Sequence, residues 1–142
     1  MKSGLKVYTS YVSAENIEYF SKHGILPVFI IRNISNSPLI NKWSGSPIHI
    51  KDLSPRTELF QRYKRGIIDF DTYIKEYIIG LSQVNFYGLM KRLDTLASSS
   101  GANALVLMGY VEDPAKCHRT PLASMIDMTE YFENSVQEAV IK

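Results

Sequence analysis

Hydrophobic and polar positions fall into segments with distinct periods. Residues 5–12 hold Val7, Tyr8, Thr9, Tyr11 and Val12, a β-branched and aromatic run that predicts a strand. Ser13 is placed to cap a helix, with Glu15 in the first turn, Ile17 and Phe20 on the apolar side, and Gly24 past the end. Residues 26–32 (Leu-Pro-Val-Phe-Ile-Ile-Arg) are apolar up to the final arginine. Such a run marks a strand buried on both faces, as in a parallel sheet covered by helices. Together these segments predict a βαβ unit.

Residues 33–54 have no sustained period and are rich in Asn, Ser, Pro and Gly, with Trp43 and His49 among them. They are expected to form a long loop, which Trp43 pins to the core. Ser54-Pro55 predicts a helix start, and Leu59, Phe60, Tyr63 and Ile67 give that helix an apolar side ending near Gly66. Phe70, Tyr73, Ile74, Tyr77, Ile78 and Leu81 fall at helical spacing behind a cap at Asp69 or Asp71. A third helix carries Phe86, Met90, Leu93 and Ala97. Residues 104–110 (Ala-Leu-Val-Leu-Met-Gly-Tyr) predict another buried strand. After a polar turn, Thr120-Pro121 predicts the last helix, with Leu122, Met125 and Ile126, continuing through Phe132, Val136 and Val140 as a C-terminal helical extension over residues 131–142. The order predicts an α/β three-layer sandwich: a small, mostly parallel sheet flanked by helices, with Rossmann-like topology. Three principal strands are expected, with room for short extra ones.

Composition agrees with one globular domain. The chain has 142 residues, 45% hydrophobic and 21% charged, with a net charge of +2. Near-balanced charge makes no demand for nucleic acid or an anionic membrane. The apolar runs at 25–31 and 102–111 are far short of the ~20 residues of a membrane helix, and the polar Tyr8-Thr9-Ser10-Tyr11 is no signal-peptide core. The single cysteine, Cys117, cannot close a bridge within the chain, which suits a reducing, cytoplasmic location. No zinc spacing, glycine-rich phosphate loop or serine elbow is present, so neither a metal nor a cofactor is expected.

In open parallel sheets ligands bind beyond the carboxyl ends of the strands. There the chain places Ser10 and Tyr11 after the first strand, Arg32 after the second, and Cys117-His118-Arg119 after the third. A helix N-terminus and a neighbouring arginine both favour a thiolate, and a thiol of lowered pKa is what nucleophilic chemistry needs. Cys117 and His118 are therefore candidate catalytic residues, and Arg119, Arg32, Ser10 and Tyr11 candidate ligand-binding residues. Read alone, a lone cysteine is more often a small buried hydrophobe, and an arginine at a strand end can as well extend to solvent.

The run Ala104 to Tyr110, then Glu112-Asp113-Pro114, then Cys117-His118-Arg119, resembles the domain of unknown function 488 family. Its members show a buried strand, a short acidic turn and Cys-His-Arg before a final helix. Val7-Tyr8-Thr9-Ser10-Tyr11 is similar to the family's opening strand, and Arg32 falls where many members have an arginine. Leu53-Ser54-Pro55 lies where close relatives read Leu-Ala-Pro, with a tryptophan upstream, as Trp43 is here. The likeness spans about residues 5–130, a single α/β domain to which residues 131–142 look like an addition. Two departures stand out. Many members have a second cysteine where this chain has Gly109, and an aspartate where it has Ile30. A dithiol couple within one subunit is therefore excluded. The resemblance implies the fold and the place of the site, and leaves the reaction open.

Three functions follow as expectations. The first is a small-molecule or nucleotide-like anion site at the strand ends, with enzymatic use of Cys-His-Arg left open. The second is a nucleic-acid-associated module using Arg56, Arg62, Lys64 and Arg65 around Tyr63, although such runs are more often a solvated helix face. The third is a protein-interaction domain, with the tail stripe Phe132, Val136 and Val140 serving a homo-oligomer; its plainer alternative is packing on its own domain.

Overall fold

A computed structural model describes residues 2–31 and 48–139. Arg32, Trp43 and Val140 lie outside the described residues. The order is β1 (Lys6–Tyr11), α1 (Ala14–Lys22), β2 (Ile25–Phe29), β3 (Ile48–His49), a 3-10 turn (Lys51–Leu53), α2 (Thr57–Lys64), α3 (Phe70–Ser82), α4 (Phe86–Ser99), β4 (Ala104–Gly109), a second 3-10 turn (Pro114–Lys116), α5 (Arg119–Thr129) and β5 (Gln137–Glu138).

The sheet order is β3-β2-β4-β1-β5, and every described pairing of these strands is parallel. Strand β4 lies at the centre, so β1 and β2 of the βαβ unit flank it rather than each other. Its residues are buried throughout, as its unbroken apolar run requires. The sheet separates two apolar layers. Phe29, Ile31, Val106 and Met108 pack with Ile17 and Phe20 of α1 on one face. Val28, Ile30, Leu105 and Leu107 face Tyr73 and Tyr77 of α3, Leu93 of α4, and Leu122 and Ile126 of α5. This is the expected three-layer α/β sandwich, with β3 and β5 as short edge strands.

The caps agree where side chains are free to serve them. Ser13 accepts from the Asn16 amide at 3.0 Å, and Asp69 from the Thr72 amide at 2.8 Å. Gly24 adopts φ 70° just past α1, a left-handed conformation that glycine takes without strain. Two expected helix starts are displaced. The Ser54 hydroxyl donates to Lys51 O at 2.6 Å, which closes the preceding turn, so α2 begins at Thr57. The Thr120 hydroxyl donates back to Pro114 O at 2.6 Å, and α5 begins two residues before Pro121, at Arg119.

The expected helical extension is corrected for residues 131–139. Glu130 takes a left-handed conformation (φ 55°) that ends α5, and the chain continues extended. Ser3 and Phe132 form an isolated parallel bridge, Asp127 accepts from the Val136 amide at 2.8 Å, and β5 then pairs with β1. Phe132 is buried in the larger core and Val136 packs against it, so both are used by the domain itself. Phe132→Ala should therefore lower stability by about 3 kcal/mol, measured by urea denaturation. A loss within experimental scatter would mean that the tail packs without energetic consequence.

Candidate functional site

Strands β1, β2 and β4 end at one level. Tyr11 pairs in register with Gly109, Ile30 N–H donates to Met108 O at 3.1 Å, and Val12 N–H to Gly109 O at 2.8 Å. The connection from β1 runs on the α1 face, whereas α5, following β4, packs on the other. Neighbouring strands whose connections diverge in this way leave a crevice at their carboxyl ends. Residues 117–119 stand at this end, where the second 3-10 turn passes into α5.

His118 is the N-cap of α5 and is 7% exposed. Its Nε2 lies 2.7 Å from Ile30 O. A carbonyl only accepts, so Nε2 carries the proton and Nδ1 keeps a lone pair. That lone pair faces Cys117, whose Sγ is 3.8 Å away. The Tyr77 ring meets the imidazole edge-on at 5.3 Å and is itself anchored by its hydroxyl to Leu53 O at 2.5 Å. Burial, reinforced by the Arg119 charge and opposed by the bond to Ile30, pushes His118 down to about 4. The ring is neutral at neutral pH.

Cys117 is 2% exposed and is a free thiol. Its place depends on Gly109, since a Cβ there would stand 2.8 Å from Sγ and 3.5 Å from His118 Cε1. Gly109 is not among the glycines at positive φ, so space rather than backbone freedom is what the glycine supplies. Nearby, burial raises Tyr73 and Tyr77 above the ordinary phenol range, and the charge of a Cys117 thiolate would raise them further.

Arg119 is fully buried. Its Nε donates to Glu138 Oε1 at 3.0 Å and Nη2 to Glu138 Oε2 at 2.9 Å, a fork-on-fork pair. Nη2 also reaches Glu112 O at 2.8 Å, and Nη1 donates to Val111 O. Burial opposes the charge, but the Glu138 carboxylate and the neighbouring Cys117 more than offset it and hold the guanidinium protonated. The Glu138 carboxylate accepts a third bond, at Oε1 from Thr9 Oγ1 at 2.6 Å.

Of the other expected residues, Ser10 is buried and accepts from Asn16 Nδ2 at 3.3 Å, and the same amide donates to Tyr11 O at 2.8 Å. Arg32 follows the described part of β2's exit. The structure thus gathers Ser10, Tyr11, Cys117, His118 and Arg119 at one end of the sheet. Sequence reasoning missed Asn16, Tyr77 and Glu138, and gave Thr9 no role beyond its place at the polar end of the first strand. Asn16 carried a faint signal, a polar residue on the inward side of a capped helix; Glu138 carried none. The basic stretch on α2 is partly consumed by the fold. Arg62 pairs with Glu76 at 3.3 Å, and Lys64 lies 5.6 Å over the Phe60 ring. A groove of about 700 Å³ runs beside Arg56, Arg62, Glu76 and Leu81, with Tyr77 in its wall. Among the described residues no cluster of His, Cys, Asp and Glu could hold a metal ion, and no helix is long and apolar enough to cross a membrane.

The protonation of His118 makes stability depend on pH. The folded ring titrates near 4 and the unfolded ring near 6.5, so between these values the unfolded chain binds more protons. The contribution is whole above the upper value and is lost as pH falls through the window, by about 3 kcal/mol. His118→Gln, which keeps a donor for Ile30 O, should flatten that part of the stability profile in denaturation experiments from pH 7 to 4. A profile equally steep in the variant would assign the dependence to other groups.

A family model described as DUF488-N3a, the active DUF488-N3 subclade, matches residues 32–130, more than half of the chain. No curated protein and no solved structure matches.

Proposed function

We propose that this chain, which belongs to the DUF488 family, is an enzyme that uses Cys117 as a nucleophile and His118 as its proton carrier on a small anionic or nucleotide-like substrate. The observation that carries the reading is the tautomer of His118. Its Nε2–H is committed to Ile30 O, so the free lone pair on Nδ1 is the one turned to Sγ. A buried imidazolium next to Arg119 is unfavourable alone, so the proton moves from Sγ to Nδ1 only as the thiolate forms or attacks beside it. Attack joins Sγ to the substrate and breaks the bond to the leaving group, which takes the same proton from Nδ1; water then displaces the group held on sulfur, giving one proton through Nδ1 back to Sγ. Arg119 and Arg32 are assigned to the anionic part of the substrate, and Ser10 and Tyr11 to its orientation. The naming of the matched subclade as active supports an enzymatic reading.

Cys117 is the chain's one cysteine, so its reaction with a small neutral thiolating reagent can be followed by mass alone. At pH 7.5, His118→Gln should slow that reaction by about 10² while the fold is kept. An equal rate in a folded variant would remove His118 as the base and the enzymatic reading with it.

A further inference from the structure

The anionic partner of Arg119 comes from an unexpected place. The guanidinium, fully buried at the start of α5, lies within the residues matched by the family model, whereas Glu138 lies beyond them in the tail. Three donors converge on the one carboxylate: Arg119 Nε, Arg119 Nη2 and Thr9 Oγ1, at 3.0, 2.9 and 2.6 Å. Bidentate guanidinium plus hydroxyl is the donor set that recognises a carboxylate or a phosphate group. The socket lies over the β1–β5 edge, next to Cys117, and the Glu138 side chain filling it is 31% exposed.

The segment that delivers Glu138 is lightly held. Strand β5 is two exposed residues at the edge of the sheet, joined to β1 over Tyr8 and Thr9 and by the Ala139 amide to Thr9 O at 2.8 Å. Its root is firm, because Phe132 is buried. Between the two, Glu133, Asn134 and Ser135 are exposed. Val136 is also held, by the larger core and by the Asp127 carboxylate, so residues 137–139 are the part that can leave the edge without unpacking Phe132 or Val136, giving up only the partial packing of Ala139. A short edge strand of this kind belongs to the low-stability end of a fold.

We propose that the Arg119–Thr9 socket is the anion subsite of the crevice, that Glu138 occupies it as a built-in substitute ligand, and that a carboxylate or phosphate group of the substrate binds by displacing the tail. This rests on the reading of the strand ends as a ligand site and adds its ligand class and its closure. The exchange replaces one anion with another, so the buried guanidinium is never left unpaired.

The test uses the full chain with inorganic phosphate as probe. Glu138→Gln, which vacates the socket of charge, should melt below the wild type. Phosphate should then raise its melting temperature by about 3 °C or more beyond the rise in wild type, and chloride at equal ionic strength should not. Thr9→Val added to Glu138→Gln should shrink that excess. In the wild type, phosphate should speed hydrogen exchange at the Ala139 amide about threefold or more. Equal phosphate responses in wild type and variant, or a response that chloride reproduces, would overturn the proposal. Should Glu138→Gln fail to fold, an unchanged Ala139 exchange rate in the wild type would overturn it instead. Neither readout involves the thiol. Failure here leaves the Cys117–His118 chemistry standing, and failure of that chemistry leaves this result intact.

Discussion

A buried positive charge governs this end of the molecule. The Arg119 guanidinium has no exposure, and an unpaired ion there would cost several kcal/mol. It is satisfied by the Glu138 carboxylate and by the carbonyls of Val111 and Glu112. Those partners belong to the tail and to the turn that follows β4, and Thr9 brings in β1. One side chain therefore fixes the relative positions of four segments. Because Arg119 is the first residue of α5, it also fixes where Cys117 and His118 stand.

Three consecutive residues aim at different strands. Cys117 settles over Gly109 at the end of β4, His118 reaches Ile30 O beyond β2, and Arg119 reaches toward Thr9 and Glu138 at β1 and β5. The change from a 3-10 turn into α5 at this point allows the divergence. Cys117 is extended (φ -120°, ψ 144°) and His118 is helical (φ -63°, ψ -17°). The parallel register supplies the other half of the arrangement, since β1, β2 and β4 end level and present their last groups together. The thiol and the imidazole thus meet through tertiary contacts that hold each from a separate strand, although they are neighbours in the chain.

Much of this was legible before any coordinates. The continuous apolar runs in β2 and β4 announced a sheet covered on both faces, and the stripe from Phe70 to Leu81 announced α3. The strand-end rule located Ser10, Tyr11 and Cys117-His118-Arg119 at one end. The tail was misread for a definable reason. Phe132, Val136 and Val140 are spaced by four, and residues four apart share a face in a helix and in a strand alike. Nothing in that spacing distinguishes the two, and the left-handed turn at Glu130, a residue without glycine's freedom, gives no warning of the break. Glu138 was invisible because its partner is fixed only by sheet order. Likewise, the capping serine and threonine before Pro55 and Pro121 bond backward to Lys51 and Pro114, a competition that local propensity does not resolve.

The same ion pair reconciles two requirements that look opposed. A ligand site needs donors that a substrate can reach, yet a guanidinium this deeply buried cannot stand empty. A tail carboxylate resolves the conflict, because it keeps the charge paired in the resting protein while adding only a two-residue strand at the sheet edge. The electrostatics beside Cys117 then depend on which anion lies in the socket. With Glu138 in place, the Arg119 charge is balanced locally and His118 stays neutral in its buried setting. On the proposed exchange, a substrate anion that takes over the socket would keep that balance and carry its own reacting group to the thiol. Tail displacement and chemistry would then be successive uses of one charge.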